Sequence, residues 1–253
     1  MITDNDSIPH SSFLTPHSFR YFDIIMTLFV VILVLSNIAS SAKVVDLGFS
    51  LFGIRLAFDG GTLLFPIAYV LGDILTEVYG FRAARRAIWT GFAILAFSSL
   101  VFFILRMLPA ERFWEAQGGG DVTGTAAYNI ILGGMSSGGI VLASLAGFFA
   151  GEFSNSVLLS KIKVAMQGRF LWFRAIVSSL VGELLDSIIF VSIACFTGVF
   201  AWELFLTLAL TNYILKCSIE ALVLPLTYAA VRRLKQREGI DTYDTEIKYT
   251  IFG

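Results

Sequence analysis

Apolar runs of about 20 residues recur along this chain, and each is long enough to cross roughly 30 Å of hydrocarbon as a helix. The alternating ten-residue segments of a membrane barrel do not recur. Inside a bilayer every backbone N–H and C=O must be satisfied by the chain itself, so runs of this kind imply helices. Composition agrees, with 57% hydrophobic and 15% charged residues and a mean hydropathy of +0.80, far too apolar for an ordinary soluble domain. The expected fold class is all-α, a polytopic membrane protein with six transmembrane helices.

The runs place those helices at 23–42, 63–79, 87–108, 138–160, 171–196 and 203–231. They form one domain over 21–235, between a tail at 1–20 and a second tail at 236–253. The first tail has neither a basic start nor an apolar core with a cleavage site, and so reads as a tail and not a signal peptide. Pro66 falls in the first turn of its helix, where the missing N–H costs nothing. The Gly-rich stretch 109–134 reads as an external loop with one short amphipathic or re-entrant turn.

Lysine and arginine in short connections resist translocation and so mark the cytoplasmic side. Arg82, Arg85 and Arg86 follow the second helix, Lys161, Lys163 and Arg169 follow the fourth, and Arg232, Arg233, Lys235 and Arg237 follow the sixth. Alternation then puts both termini in the cytoplasm. Cys195 and Cys217 both fall within helices and read as small hydrophobes.

Function must come from the polar residues that interrupt the apolar runs. A charge at the bilayer centre costs on the order of 2.5–3.5 kcal/mol, and those that persist face the bundle interior. In the second helix, Asp73 and Glu77 cost roughly 6 kcal/mol while its nine Leu, Ile, Val and Phe return about 4. That helix cannot face lipid. Asp73 and Glu77 are spaced i, i+4, as are Glu152 and Ser156; Glu183 and Asp186 are i, i+3; and Asn212, Lys216 and Glu220 step by four. Each helix therefore presents one polar stripe. Static interhelical pairing would serve if acids and bases balanced, but the carboxylates outnumber the lysine. The candidate substrate-binding residues are Asn37, Asp73, Glu77, Glu152, Asn155, Glu183, Asp186, Asn212 and Lys216.

The run Leu71-Gly72-Asp73-Ile74-Leu75-Thr76-Glu77 is echoed by Val181-Gly182-Glu183-Leu184-Leu185-Asp186-Ser187, and Gly151-Glu152 gives a weaker third copy. Each long copy sits in the middle helix of a three-helix half. Three is odd, so the halves run oppositely, the plan of a 3+3 inverted repeat with a mid-membrane site between the halves.

Phe65-Pro66, Gly72-Asp73, Thr76-Glu77-Val78-Tyr79-Gly80-Phe81 and Ala84-Arg85-Arg86 resemble the signature of the queuosine precursor transporter family, also called vitamin uptake transporters. Ser36-Asn37, Asn155, Lys161, Trp172, Arg174, Ser178, Gly182, Asp186-Ser187, Tyr213, Lys216 and Pro225 continue the resemblance, which covers about 20–235. It implies a six-helix importer in the bacterial inner membrane for a 7-deazaguanine: 7-cyano-7-deazaguanine, its aminomethyl analogue, or queuine. The residues suit such a solute. A guanine-like edge offers adjacent N–H donors that one carboxylate can accept together, and Phe or Tyr rings can stack on the heterocycle.

The expected partners are that small-molecule base and the lipid bilayer, with a homodimer left open; no nucleic acid and no cofactor or metal is expected. The alternative is a substrate-capture subunit of an energy-coupling-factor vitamin importer, which would borrow its ATPase because the chain has no phosphate-binding Gly-rich loop. An intramembrane aspartyl protease built on Asp73 and Asp186 is disfavoured. Val70-Leu71-Gly72-Asp73 lacks the Gly two residues before the Gly-Asp, and both histidines, His10 and His17, lie in the tail.

The charge distribution makes topology testable. Single cysteines placed at 82–86 and at 161–169, in a background free of Cys195 and Cys217, should react with membrane-impermeant maleimide only after the cells are opened. Labelling of either segment in intact cells would reverse the assignment.

Overall fold

The structure, a computed structural model, describes residues 19–51, 54–118, 122–136, 138–245 and 249–251. The first tail up to residue 18 lies outside the described residues. Helix α1 (Phe22–Ala42) is followed by an antiparallel hairpin of β1 (Val44–Leu51) and β2 (Ile54–Asp59). Its register pairs Val44 with Asp59 and Asp46 with Ala57, then slips before Ser50 and Arg55. Gly48 takes a positive φ of 76° at this irregularity, which a side chain would resist. Asp59 then accepts a hydrogen bond from Gly61 N at 3.0 Å and caps the turn that leads into α2 (Phe65–Tyr79).

Helix α2 realises the energetic argument made from its carboxylates. Thirteen of its fifteen residues are buried, so almost none of it could reach lipid. Gly80, at φ 86°, turns the chain at once into α3 (Phe81–Met107). The connection expected at 80–86 is thus helical, and Arg82, Arg85 and Arg86 stand on the first turns of α3. Within 109–134 a four-residue helix α4 (Arg112–Glu115) precedes α5 (Gly124–Ser136), which is longer than the single turn expected there. Then come α6 (Gly138–Ala165), α7 (Leu171–Phe196) and α8 (Phe205–Glu238). The last has 34 residues, or about 51 Å of helix, longer than a bilayer core requires.

Among the described residues, five segments are long and apolar enough to span a membrane: α1, α3, α6 with the preceding α5, α7 and α8. Helix α2 is shorter and is not among them. The outward faces are what lipid would contact. Ile24, Leu28 and Leu35 on α1, Phe97, Leu100 and Phe103 on α3, and Leu222 and Leu226 on α8 are all exposed. The apolar core lies where α1, α2, α3 and α6 meet, around Phe29, Leu33, Leu75, Ile88, Leu95 and Phe148.

Contacts place alternate helix ends on one face. Arg20 N and Tyr21 N, ahead of α1, donate to the Glu238 carboxylate at the end of α8, and Phe22 packs edge-on against Tyr79 at the end of α2. The chain after α8 laces the same face. Asp244 accepts from Phe81 N at 2.8 Å and from Ser160 Oγ at 2.5 Å, so it joins the start of α3 to the end of α6. Arg85 and Trp89 donate to the carbonyls of Thr250 and Ile251.

Asp244 is buried and its two acceptor contacts span two helices. Asp244→Ala should therefore lower the protein's stability in detergent by about 3–6 kcal/mol, the worth of two charge-assisted hydrogen bonds. A thermal unfolding series against wild type measures this, and an unchanged midpoint would refute the role given to the C-terminal segment.

Candidate functional site

The stripes on α2, α6, α7 and α8 converge inside the bundle. Asn155 Nδ2 on α6 donates to Asp73 Oδ1 on α2 at 2.8 Å. Lys216 Nζ on α8 meets Asp186 Oδ2 on α7 at 2.5 Å, and its ammonium sits 4.5 Å from the centre of the Phe65 ring. Glu152 on α6 lies within electrostatic range of Asp73, Glu183, Asp186 and Glu220. All are buried. Six of the nine expected site residues are thus brought together: Asp73, Glu152, Asn155, Glu183, Asp186 and Lys216.

Glycines make the convergence feasible. A Cβ at Gly72 would collide with Glu152 Oε1, and one at Gly151 would collide with the Tyr69 hydroxyl. A Cβ at Gly182 would lie 2.8 Å from the Gly151 carbonyl oxygen. The Gly-acid steps of the sequence therefore let backbones approach while the following acid turns inward.

The chemistry left in the centre is unequal. Among the described residues, both carboxylate oxygens of Glu152 and both of Glu183 lack a hydrogen-bond partner of good geometry, as do Asn155 Oδ1, Glu220 Oε2 and the Tyr69 hydroxyl. Cys217 and Glu220 come within looser hydrogen-bonding reach of the Glu183 carboxylate, and Lys216 lies within electrostatic range of it. Five carboxylates (Asp73, Glu152, Glu183, Asp186 and Glu220) surround one lysine, and that lysine is already held by Asp186. Buried acceptors of this kind are normally satisfied, and here the carboxylates outnumber the donors that the described residues bring to them.

The other three expected residues lie elsewhere. Glu77 stands one turn beyond Asp73, and its carboxylate takes Arg174 Nη2 at 2.6 Å, Arg174 Nε at 3.1 Å, Lys235 at 2.5 Å and Lys163 at 3.4 Å. Asp241 after α8 joins this group through Lys163 at 2.7 Å and Lys235 at 2.8 Å. Burial pushes the Asp241 carboxyl up, but hydrogen bonds from the two lysines outweigh it and hold the group below its ordinary range. Asn212, one turn before Lys216, donates to Asp59 Oδ2 at 3.1 Å, and Thr62 and Ser40 donate to the same carboxylate. Asn37 donates to the Leu33 carbonyl of its own helix at 2.9 Å and borders a small cavity with Ser40, Ser99 and Ser144.

Three partners in the centre were not among the expected site residues. Tyr69 sits four residues before Asp73, Glu220 four after Lys216, and Ser179, which donates to Glu220, four before Glu183. Tyr69 and Ser179 each extend a stripe by one turn, the spacing that finds them, whereas Glu220 already closes the α8 stripe read from the sequence.

A family model described as "Putative vitamin uptake transporter" matches residues 59–230, more than half of the 253-residue chain. The chain belongs to this family. Membership makes it a transporter and not an enzyme, in keeping with its apolar helices. Every central residue of the site falls within the matched stretch. The chain is also similar to the "Probable queuosine precursor transporter" of Bacillus subtilis (strain 168), at 27% identity over 190 residues, 74% of this chain and 77% of the relative. No solved structure matches it. The resemblance read from Gly72-Asp73 and Thr76-Glu77 is thereby confirmed at the level of the vitamin uptake transporter family.

The Lys216–Asp186 pair gives the site its most direct structural test. Lys216→Ala strands a buried carboxylate and should cost about 3–5 kcal/mol, with a matching fall in folded yield. Adding Asp186→Asn removes the stranded charge and should recover part of that yield. Size-exclusion profiles of the single and double variants measure it, and a single variant as stable as wild type would rule out the pairing as a structural element.

Proposed function

We propose that the protein imports a queuosine precursor, a 7-deazaguanine base, across the bacterial inner membrane by way of the central acidic cluster. The observation that carries this reading is the pair Glu152 and Glu183, both buried and both with two unpartnered oxygens. A 7-deazaguanine has adjacent ring N–H and amino donors, and a carboxylate accepts both at once. An aminomethyl substituent would add a cation that the remaining carboxylates could pair. Tyr69 and Phe65, which face the cluster, offer rings for the flat heterocycle. The name of the Bacillus subtilis relative supports the same solute class.

In this reading the bundle crosses the membrane six times, with α2 as the buried second crossing and both termini in the cytoplasm. Asp73 on α2 and Glu183 on α7 come from the middle helices of opposite halves, so both halves hold the solute. Asn155 and the Asp186–Lys216 pair orient the acceptors. Glu77, spent on three cations, acts at the end of the cluster and not on the solute.

Glu183→Gln and Glu152→Gln each keep the shape of the side chain while replacing an acceptor oxygen with a donor. Each should weaken binding of 7-cyano-7-deazaguanine by at least about 1–3 kcal/mol and leave the folded yield nearly intact. Titration calorimetry and thermal unfolding on the same preparations separate this from a scaffold role, which predicts lost yield and unchanged affinity. Unchanged affinity in both variants would move the site elsewhere. Uptake by the purified chain alone in vesicles is the companion measurement, since a capture subunit would bind without transporting.

A further inference from the structure

The largest cavity described lies away from the acidic centre, between the first turns of α7 and the last turns of α8, with a volume of about 700 Å³. Arg169, Arg174, Arg232 and Lys235 line it, and among the described residues no carboxylate does. Trp172 and Tyr228 stand at its rim and are about half exposed. We propose that this cavity binds the headgroup phosphate of an anionic phospholipid.

Its position in the fold decides between a lipid and a soluble anion. Leu171 begins the apolar run of α7, so the cavity sits where a membrane helix passes from hydrocarbon to headgroups. Exposed Trp and Tyr beside arginines are the residues that settle at that level. From the cavity toward the membrane centre both helices present apolar surface to the outside, Phe173, Leu180 and Leu184 on α7 and Leu222 and Leu226 on α8. A smaller cavity of about 30 Å³ follows the α7–α8 seam inward, its apolar wall of Ile176, Leu180, Ala221 and Leu224 giving way to Ser179, Cys217 and Glu220 of the polar centre. A phosphate held by the cations thus has acyl chains lying along a surface that matches them. A free phosphate would use only the basic end. Basic pockets between membrane helices hold anionic headgroups by this combination of charge and flanking apolar surface.

The cations are not equivalent. Arg174 is buried, directs two of its nitrogens to Glu77 and a third to the Arg169 carbonyl, and so forms a fixed floor. Arg169 and Arg232 are exposed and form no ion pair among the described residues, so they are the groups free to close on a phosphate. Lys235 is shared, since it also contacts Glu77 and Asp241. The lipid would therefore touch the ion cluster at this end of the bundle without displacing it.

Native mass spectrometry of the full-length protein in detergent, mixed with phosphatidylglycerol or phosphatidylcholine of the same chain length, tests the proposal. Phosphatidylglycerol should be retained in preference to phosphatidylcholine. Arg169→Gln combined with Arg232→Gln should lower its retention about tenfold or more, the weight of two surface cations acting on one headgroup. Arg169→Lys with Arg232→Lys should keep most of it, as should Arg106→Gln with Arg112→Gln on the far side of the chain. Equal retention of the two lipids by wild type, which needs no variant to fold, would overturn the proposal. So would unchanged phosphatidylglycerol retention in the Gln variant. Inorganic phosphate that raises the thermal midpoint as much as phosphatidylglycerol would assign the cavity to a soluble anion and overturn the lipid reading as well.

Discussion

Two carboxylates on a fifteen-residue helix govern how the rest of the chain is arranged. Asp73 and Glu77 cannot stand in hydrocarbon at an acceptable cost, so α2 has to be surrounded by protein, and α1, α3, α6 and α8 all pack against it. Burial alone does not settle a charge, since a buried carboxylate still needs partners. Glu77 finds them by drawing Lys163 from α6, Arg174 from α7 and Lys235 from α8 to one point. A single acceptor thereby sets the spacing of three helix ends, and the chain after α8 fastens the same end through Asp241 and Asp244. One turn away Asp73 finds, among the described residues, the amide of Asn155. The same helix thus carries one carboxylate that closes the bundle and one that opens onto its polar centre.

That centre depends on close backbone approach. In lipid there is no hydrophobic force to press helices together, so their association relies on packing, and small residues allow it. Gly147, Gly151 and Gly182 supply it along α6 and α7: a Cβ at Gly147 would lie 2.8 Å from Asp186 Oδ1, and one at Gly182 as close to the Gly151 carbonyl. Larger residues there would wedge the helices apart and separate Glu152 from Glu183. Glycine before acid is therefore a single device in this chain. The first residue admits the neighbouring helix, and the second presents its charge beside the contact.

Much of this was legible because the underlying signals are local. Apolar runs, i, i+4 stripes and a carboxylate cost exceeding the apolar return on α2 do not depend on knowing the neighbours. They led correctly to a helical membrane protein, to a buried α2, and to a carboxylate partner for Lys216. The assignment of roles within a stripe was not local. Asp73 and Glu77 share one face of one helix, and their different fates are decided by Arg174 and Lys235, residues 97 and 158 positions away. Asn212 matched the stripe of Lys216 and Glu220 yet is held by Asp59, whose position depends on a hairpin. The hairpin is hard to read from the sequence because its register slips between Asp46 and Ser50, which breaks the alternation of β1.

The order of contacts along α2 and α8 bears on how a transporter of this build can open. Thr62 and Asn212 meet at Asp59 ahead of the central residues, and Glu77 and Lys235 meet beyond them, so the acidic centre is closed at both ends by a carboxylate gathering donors from several helices. Parting either end leaves that carboxylate and its former donors in need of new partners, and a charge stranded in a dry interior costs several kcal/mol. Helix movement that stayed dry would meet this cost in full. At the Glu77 end, Lys235 and Asp241 are already partly exposed, with side-chain accessibilities of 21% and 43%, so water at the mouth can take over from the ion pairs as they separate. Asp59 and Asn212 are both buried, at 6% and 3%, and water would have to enter before they could part. Glu77, Lys163 and Arg174 are buried as well, so at either end water has to reach a buried carboxylate before its partners can separate.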